Sequence, residues 1–112
     1  MDITTTPAWA ALQATPQPAH LRELFATDPE RAQRYIVRAG ELRIDYSKHL
    51  IDDGVLAALQ AVASAAGVAE RRDAMFAGEQ INTTEQRAVL HTALRAPRGA
   101  SIVVDGHDVV PD

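Results

Sequence analysis

The 112-residue sequence has no cysteine, a single lysine and no long apolar run. The absence of cysteine excludes disulfide bridges, thiolate nucleophiles and metal ions held by sulfur. No apolar stretch approaches the roughly 20 residues that a membrane-spanning helix needs, so no membrane partner is predicted. Glycine occurs six times and is never clustered as in a phosphate-binding loop.

The charge balance argues against nucleic acid as a partner. The formal net charge is −4 and the isoelectric point is near 5.5. The basic residues are scattered along the chain, whereas binding to nucleic-acid phosphates needs a basic surface. The N-terminus, Met1-Asp2-Ile3-Thr4, has neither the basic region nor the apolar run of a secretory signal. We therefore expect a soluble, cytoplasmic protein.

The length suits one domain or part of one. Hydrophobic residues make up 46% of the sequence, but 21 of them are alanine, which leaves few large side chains for a core. A chain of this size buries only somewhat more than about 60% of its unfolded surface. We therefore expect marginal stability if the chain folds alone.

Apolar residues recur at helical spacing through most of the chain. In the first helix Thr6 is the predicted cap, Pro7 lies in the first turn, and Trp9 and Leu12 share a face. The other predicted helices run from about His20 to Ala26, from Asp28-Pro29-Glu30 onward, from Asp52 or Asp53 to about Ala66, and from Val68 to Phe76. The buried stripe of the long helix is predicted to be Val55, Leu59, Val62 and Ala66.

A final long helix is predicted from Thr83 to about Arg95. Thr83 is its expected cap, and Gln86 lies three residues later as the partner in a capping box. Pro97 and Gly99 would end it. Its apolar side would consist of Val89, Leu90, Ala93 and Leu94.

Two segments have the alternating pattern of short strands. Tyr35–Val37 and Leu42–Tyr46 flank the predicted turn Ala39-Gly40-Glu41. Near the C-terminus, Asp105-Gly106 separates two apolar runs, which strongly indicates a hairpin. The predicted fold class is therefore mainly α with two short β-hairpins.

The histidines do not indicate a metal or catalytic site. His20, His49, His91 and His107 are far apart, and no pair has metal-ligand spacing. A weak metal site at Asp105, His107 and Asp108 is possible, but a solvated turn is the favoured interpretation. His91 is predicted to be a half-buried, hydrogen-bonded residue of the last helix, because no partner for a general base is recognisable.

Other candidate groups also favour structural interpretations. Glu79 and Glu85 could act as paired carboxylates, but Glu85 would lie in the first turn of the last helix, where the dipole favours an acid. Arg87 is expected to reach another part of the protein. Ser47 and Lys48 are neighbours at a strand end and should point in opposite directions. The glycosylation sequon Asn82-Thr83-Thr84 is interpreted as a chance match.

Several segments of the chain form an ordered set of motifs. The longest is Gly78-Glu79-Gln80-Ile81-Asn82 followed by Thr84-Glu85-Gln86-Arg87-Ala88-Val89-Leu90-His91-Thr92-Ala93-Leu94-Arg95. Shorter ones are Trp9 with Leu12, Leu21–Ala26 with Asp28-Pro29-Glu30-Arg31, Asp45-Tyr46-Ser47-Lys48, and Arg72–Glu79. In their order and spacing, these segments resemble the glucose-6-phosphate isomerase family. The family usually has Asn after the Asp-Tyr-Ser-Lys segment, where this chain has His49, and we interpret this as a tolerated change.

The resemblance implies an enzyme that interconverts glucose 6-phosphate and fructose 6-phosphate without cofactor or metal. In the family, a histidine and a lysine assist ring opening, and a glutamate moves a proton between C2 and C1. The family also implies α/β sugar-isomerase domains with parallel sheets, and a homodimer. All of the family's catalytic groups lie downstream of the matched region.

No catalytic, cofactor-binding or metal-binding residue is therefore assigned within residues 1–112. By the resemblance these residues are the N-terminal helical region, which supports the sugar-isomerase domains. The alternative is a stand-alone helical protein-interaction module, which would need its own core and would melt cooperatively. A fragment would instead leave apolar helix faces uncovered.

Overall fold

The computed structural model describes residues 1–110 and confirms the predicted fold class, mainly helical with two short antiparallel hairpins. Its elements are a 3₁₀ turn at Ile3–Thr5, α1 (Pro7–Ala14), α2 (Leu21–Thr27), α3 (Arg31–Arg34), β1 (Ile36–Ala39), β2 (Leu42–Asp45), α4 (Asp53–Ala65), α5 (Val68–Phe76), a 3₁₀ turn at Ala93–Arg95, β3 (Val103–Val104) and β4 (His107–Asp108). The chain divides into an N-terminal unit, which ends at Ala65, and a C-terminal unit, which begins at Ala66.

The N-terminal unit is built on α1 and α4, which pack together. As predicted, Thr6 caps α1: its Oγ1 accepts a hydrogen bond from the backbone N–H of Trp9 at 3.3 Å, and Pro7 lies in the first turn. The buried hydrophobic residues are Tyr35, which is 3% exposed, and Val55, which is 6% exposed. The core of this unit is therefore small.

The start of α3 differs from the prediction. The helix begins at Arg31, because a turn precedes it in which the Asp28 carboxylate accepts from the N–H of Glu30 at 3.1 Å. The carbonyl of Asp28 also accepts from the N–H of Arg31 at 3.1 Å. Asp28 thus closes a turn rather than capping a helix that begins at Pro29.

The predicted stripe of α4 is confirmed only in part. Val55 is buried and Val62 is half-buried, but Leu59 is 44% exposed, and Ala66 is exposed just beyond the helix end. Because α1 has 8 residues and α4 has 13, the shorter helix cannot cover the whole stripe. Gly67 follows with φ +68°, as predicted for a residue that ends a helix in the left-handed region.

The first hairpin pairs β1 with β2 around Gly40-Glu41. The first strand begins one residue and ends two residues later than predicted, since Tyr35 precedes β1 and Ala39 is paired with Leu42. The second strand begins at Leu42, as predicted, and ends one residue earlier, at Asp45. Every residue of the two strands except Ile36 is exposed, including Leu42 at 60% and Ile44 at 46%, so the hairpin buries little on either face.

The C-terminal unit contains α5 and the second hairpin. The bounds of α5, Val68–Phe76, are those predicted. Asp105 and Gly106 have φ of +50° and +84°. Positive φ at both central residues is typical of the two-residue hairpin turn that Asp-Gly favours. Gly78 has φ +78°, and a Cβ there would lie 2.8 Å from the carbonyl oxygen of Val103, so the close approach of the two segments requires glycine.

The predicted helix from Thr83 to Arg95 is wrong. Asn82 and Arg87 exchange backbone hydrogen bonds at 3.0 and 3.2 Å, and the Asn82 side chain accepts from the N–H of Glu85 at 3.2 Å. Only Ala93–Arg95 forms a 3₁₀ turn. Because most helical stability in proteins comes from packing of the apolar face, a helix whose apolar face is uncovered is disfavoured. Leu94, on the apolar side of the predicted helix, is 84% exposed.

Candidate functional site

Among residues 1–110, the largest fully buried side chain is that of Arg31, which is 2% exposed. Its Nε donates to the carbonyl oxygen of Ser47 at 2.8 Å. Its Nη2 donates to the carbonyl oxygens of His49 and Ile51, each at 2.8 Å. One guanidinium group therefore holds three carbonyl groups of the segment that connects β2 to α4.

Aromatic rings enclose the same guanidinium group. Its central carbon lies 4.2 Å from the ring centroid of Tyr35 and 5.7 Å from that of Phe25. The ring of Tyr46 meets that of Tyr35 edge-on, with centroids 5.3 Å apart. A buried charge is stable only when its hydrogen-bonding groups are satisfied, and the carbonyls and the cation–π contacts do this for Arg31. We call Arg31, these rings and the carbonyls of residues 47–51 the Arg31 cluster.

A second polar group joins the cluster to the start of α4. The hydroxyl of Tyr35 donates to Asp53 Oδ1 at 2.6 Å, and Arg34 bridges Asp53 and Asp28, with 2.6 Å to Asp53. The hydrogen bond from Tyr35, followed by that from Arg34, lowers the pKa of Asp53. Burial, followed by the hydrogen bond to Asp53, raises the pKa of the Tyr35 phenol.

The cluster positions the first turn of α4. The Ile51 carbonyl is held by Arg31, and the next residue, Asp52, caps the helix by accepting from the N–H of Val55 at 2.8 Å. The donors of Arg31 are directed at backbone carbonyls, so the group fixes the path of the chain. We conclude that the Arg31 cluster is a positioning element.

Sequence reasoning did not identify Arg31 as a central residue. The helical period says nothing about burial of an arginine in a four-residue helix. The available signal was its place in Asp28-Pro29-Glu30-Arg31, a segment that resembles the glucose-6-phosphate isomerase pattern.

Two of the four histidines make local contacts through their rings. His20 Nδ1 accepts from the N–H of Arg22 at 3.1 Å at the start of α2, and His107 Nδ1 lies 3.2 Å from the carbonyl oxygen of Asp105. Asp108 Oδ1 accepts from the N–H of Val110 at 3.1 Å, and this bond is the main cause of its lowered pKa. Within residues 1–110, no group of three or more His, Asp or Glu side chains could hold a metal ion.

The prediction of a half-buried, helical His91 is wrong. His91 is exposed in a turn, and its carbonyl accepts from Arg95 Nη1 at 3.3 Å. Glu79 and Glu85 are also exposed, and Glu85 lies in the turn after Asn82 rather than in a helix. These side chains therefore form no recognisable acid–base site in the part of the chain that the structure describes.

Ser47 and Lys48 differ sharply in burial. Ser47 is 2% exposed, whereas Lys48 is exposed. The side chain and the N–H of Ser47 both donate to the Asp45 carboxylate, with 3.0 Å from the N–H, and these bonds lower the pKa of Asp45. Ser47 therefore belongs to a turn after β2.

The C-terminal unit exposes large apolar side chains, among them Val68 at 55%, Phe76 at 56%, Leu90 at 37%, Leu94 at 84% and Val103 at 53%. One open groove of about 590 Å³ is lined by Leu90, Leu94 and Val109, among others. Exposed apolar side chains that line one groove are typical of a surface that contacts another part of a protein. Among residues 1–110, no helix is long and apolar enough to cross a membrane.

Comparison with known proteins identifies the protein family of this chain. The family model described as phosphoglucose isomerase matches residues 45–112. The chain is 64% identical over 97% of its length to glucose-6-phosphate isomerase 1 of Streptomyces avermitilis, covering 21% of that protein. It is 58% identical over 98% of its length to the glucose-6-phosphate isomerase of Deinococcus deserti, again covering 21%.

The chain therefore belongs to the phosphoglucose isomerase family. A third relative, the glucose-6-phosphate isomerase of Mycolicibacterium smegmatis, is 59% identical over 99% of the chain. The chain spans about a fifth of the length of these curated relatives.

Proposed function

We propose that residues 1–112 form the N-terminal part of a glucose-6-phosphate isomerase, which interconverts glucose 6-phosphate and fructose 6-phosphate. The observation that carries this proposal is the 64% identity, over 97% of the chain, to a protein of that name. The whole protein would act in the cytoplasm as a homodimer, without cofactor or metal, as the family resemblance implies.

Within that enzyme, these residues would have a supporting and non-catalytic role. The Arg31 cluster uses its buried charge to fix the chain between β2 and α4, with three bonds to carbonyl oxygens at 2.8 Å. The exposed apolar side chains of the C-terminal unit offer a surface to the remaining four fifths of an isomerase. The groups that react with the sugar would lie outside residues 1–112.

A chimeric enzyme tests this proposal. Residues 1–112 would replace the matching segment of the Streptomyces avermitilis relative, with which they are 64% identical. Formation of glucose 6-phosphate from fructose 6-phosphate would be followed through a coupled dehydrogenase. We expect the chimera to retain activity within roughly tenfold of the parent, equivalent to about 1.4 kcal/mol in the barrier.

Two controls make the result decisive. The relative without its matching segment should be inactive or insoluble, and purified 1–112 should show no turnover. A chimera that folds but does not isomerise would overturn the proposal. A cooperative melt of 1–112 alone, together with an inactive chimera, would instead favour a stand-alone interaction module.

A further inference from the structure

The first hairpin places two arginines directly opposite each other. Arg38 on β1 is paired with Arg43 on β2. The N–H of Tyr46 donates to the carbonyl oxygen of Tyr35 at 3.0 Å, and hydrogen-bonded pairs alternate with non-hydrogen-bonded pairs along an antiparallel ladder. Arg38 and Arg43 therefore form a non-hydrogen-bonded pair, in which the Cα atoms lie only about 4.5 Å apart. Their side chains leave the same face of the hairpin.

No carboxylate of the described residues neutralises this pair. Within residues 1–110, the ion pairs include neither Arg38 nor Arg43. The Asp45 carboxylate lies on the same face as Arg43 but is already held by Ser47, whose hydrogen bonds are the main causes of its lowered pKa. Like charges directly opposite each other destabilise a sheet. An anion bound between the two arginines would therefore stabilise the hairpin.

The two arginines also line a concave space. Together with Gln33 of α3 and Ile36 of β1, they line an open cavity of about 470 Å³. Small-molecule sites commonly have a volume of about 300–1,000 Å³. Both arginines and Gln33 are exposed, and Ile36 is half-buried. The cavity therefore combines two charged donors and one amide with an apolar wall.

This set of donors favours a phosphate group over a carboxylate. A guanidinium group presents a planar fork of donors, which binds two oxygen atoms of a carboxylate or phosphate at once. A carboxylate has two oxygen atoms and occupies one fork. A phosphate monoester has three free oxygen atoms and carries nearly two negative charges, so it can accept from both forks and neutralise both arginines. The Gln33 amide adds a neutral donor and acceptor for hydroxyl groups of the ligand.

We propose that Arg38, Arg43 and Gln33 form a binding site for the phosphate group of a phosphate monoester. The two guanidinium groups hold the phosphate oxygen atoms from the two strands, and Ile36 contacts the organic part of the ligand. The proposal does not depend on the isomerase assignment, because the site consists of residues of this chain and its binding is measured without turnover.

An NMR titration of the 112-residue chain tests the site directly. Inorganic phosphate, glucose 6-phosphate and acetate are added in parallel at constant low ionic strength, and the Nε–Hε signals of Arg38 and Arg43 are followed. Both signals should shift and saturate with the two phosphate compounds, with a Kd on the order of 1 mM. Acetate should bind at least about tenfold more weakly.

The two phosphate compounds distinguish the sources of the ligand. Binding of glucose 6-phosphate more than about threefold tighter than that of inorganic phosphate would support the site and identify a phosphorylated sugar as its ligand class. Equal affinities would support a site for the phosphate group alone.

Substitutions separate a phosphate site from general attraction of an anion. Arg38→Gln and Arg43→Gln should each raise the Kd for inorganic phosphate at least about tenfold, because each removes one of the two charged donors. Arg43→Lys keeps the charge but loses the planar fork, and it should raise the Kd at least about fivefold. The matched control is Arg22→Gln, which removes the same charge from an exposed position on α2 and should change the Kd less than about twofold.

Several results would overturn the proposal. Acetate that binds as tightly as phosphate, or Arg43→Lys with an unchanged Kd, would show that only positive charge attracts the anion. Shifts that grow without saturation, or Arg22→Gln that weakens binding as much as Arg38→Gln, would do the same.

A second measurement applies if the 112-residue chain does not fold alone. Equilibrium dialysis of radiolabelled inorganic phosphate against the chimera counts the phosphates bound per chain. The double variant Arg38→Gln/Arg43→Gln should bind one phosphate fewer per chain than the unsubstituted chimera. Equal counts would overturn the proposal, because the arginines would then be neutralised by other parts of the protein. An inactive chimera that still shows this loss would overturn the isomerase assignment and leave the phosphate site in place.

Discussion

Replacing Arg31 by alanine should strongly destabilise the N-terminal unit. The guanidinium group is 2% exposed and makes three hydrogen bonds of 2.8 Å to carbonyl oxygens. A hydrogen bond to a charged group contributes about 1.5–3 kcal/mol. Because the carbonyls of His49 and Ile51 are only partly buried and can turn toward water, we take the lower end of this range, which gives about 4.5 kcal/mol in total.

This loss is large relative to the stability of the protein. A whole domain is stabilised by roughly 5–15 kcal/mol, and the core here is small. Arg31→Lys keeps the charge but presents one compact ammonium in place of a planar group with several donors. We therefore expect Arg31→Lys to lose about half as much as Arg31→Ala.

Urea denaturation of 1–112, followed by the fluorescence of Trp9, measures the effect. Trp9 lies in α1, which packs against α4, and the first turn of α4 follows the segment that Arg31 holds. Arg38→Ala is the matched control, since Arg38 is exposed on β1, and it should change stability by less than about 0.5 kcal/mol. A free energy of unfolding for Arg31→Ala within about 0.5 kcal/mol of the parent would refute the reasoning.

Three further predictions concern other contacts. Tyr35→Phe removes the bond that contributes most to the lowered pKa of Asp53, so this pKa should rise toward its ordinary value in a carboxyl NMR titration. The folded-state pKa of Asp53 lies below its unfolded value. The ionised carboxylate therefore stabilises the folded state above the unfolded pKa, and this stabilisation is lost as the pH falls through the folded pKa. If the free energy of unfolding fell with decreasing pH in the same way for the parent and for Tyr35→Phe, this prediction would be contradicted. Gly78→Ala places a Cβ 2.8 Å from the carbonyl oxygen of Val103 and should destabilise the C-terminal unit by about 2 kcal/mol or more, as measured by thermal melts. The control is Gly99→Ala, whose Cβ would have no atom within 4 Å and which should leave the stability nearly unchanged. Asp52→Ala removes the cap of α4 and should lower stability by about 1 kcal/mol in urea titrations, and an unchanged midpoint would count against the capping role.

Features set by neighbouring residues could be predicted from the sequence. The bounds of α5 and the Asp105-Gly106 turn agree with prediction because propensity and turn geometry act within a few residues. The cap of α1 at Thr6 is local in the same way. The Arg31 cluster could not be predicted, because it joins residues 16 to 20 positions apart whose pairing no periodicity reveals.

The sequence by itself determined the family, the fold class and the places where helices and turns can begin. These depend on the order of residue types along the chain, and the run from Gly78 to Arg95 carries much of that information. Only the tertiary structure decided which of the possible elements form. Residues 83–95 have the pattern of a helix but occupy a turn, because a helix of this length needs a surface for its apolar face and Leu94 is 84% exposed.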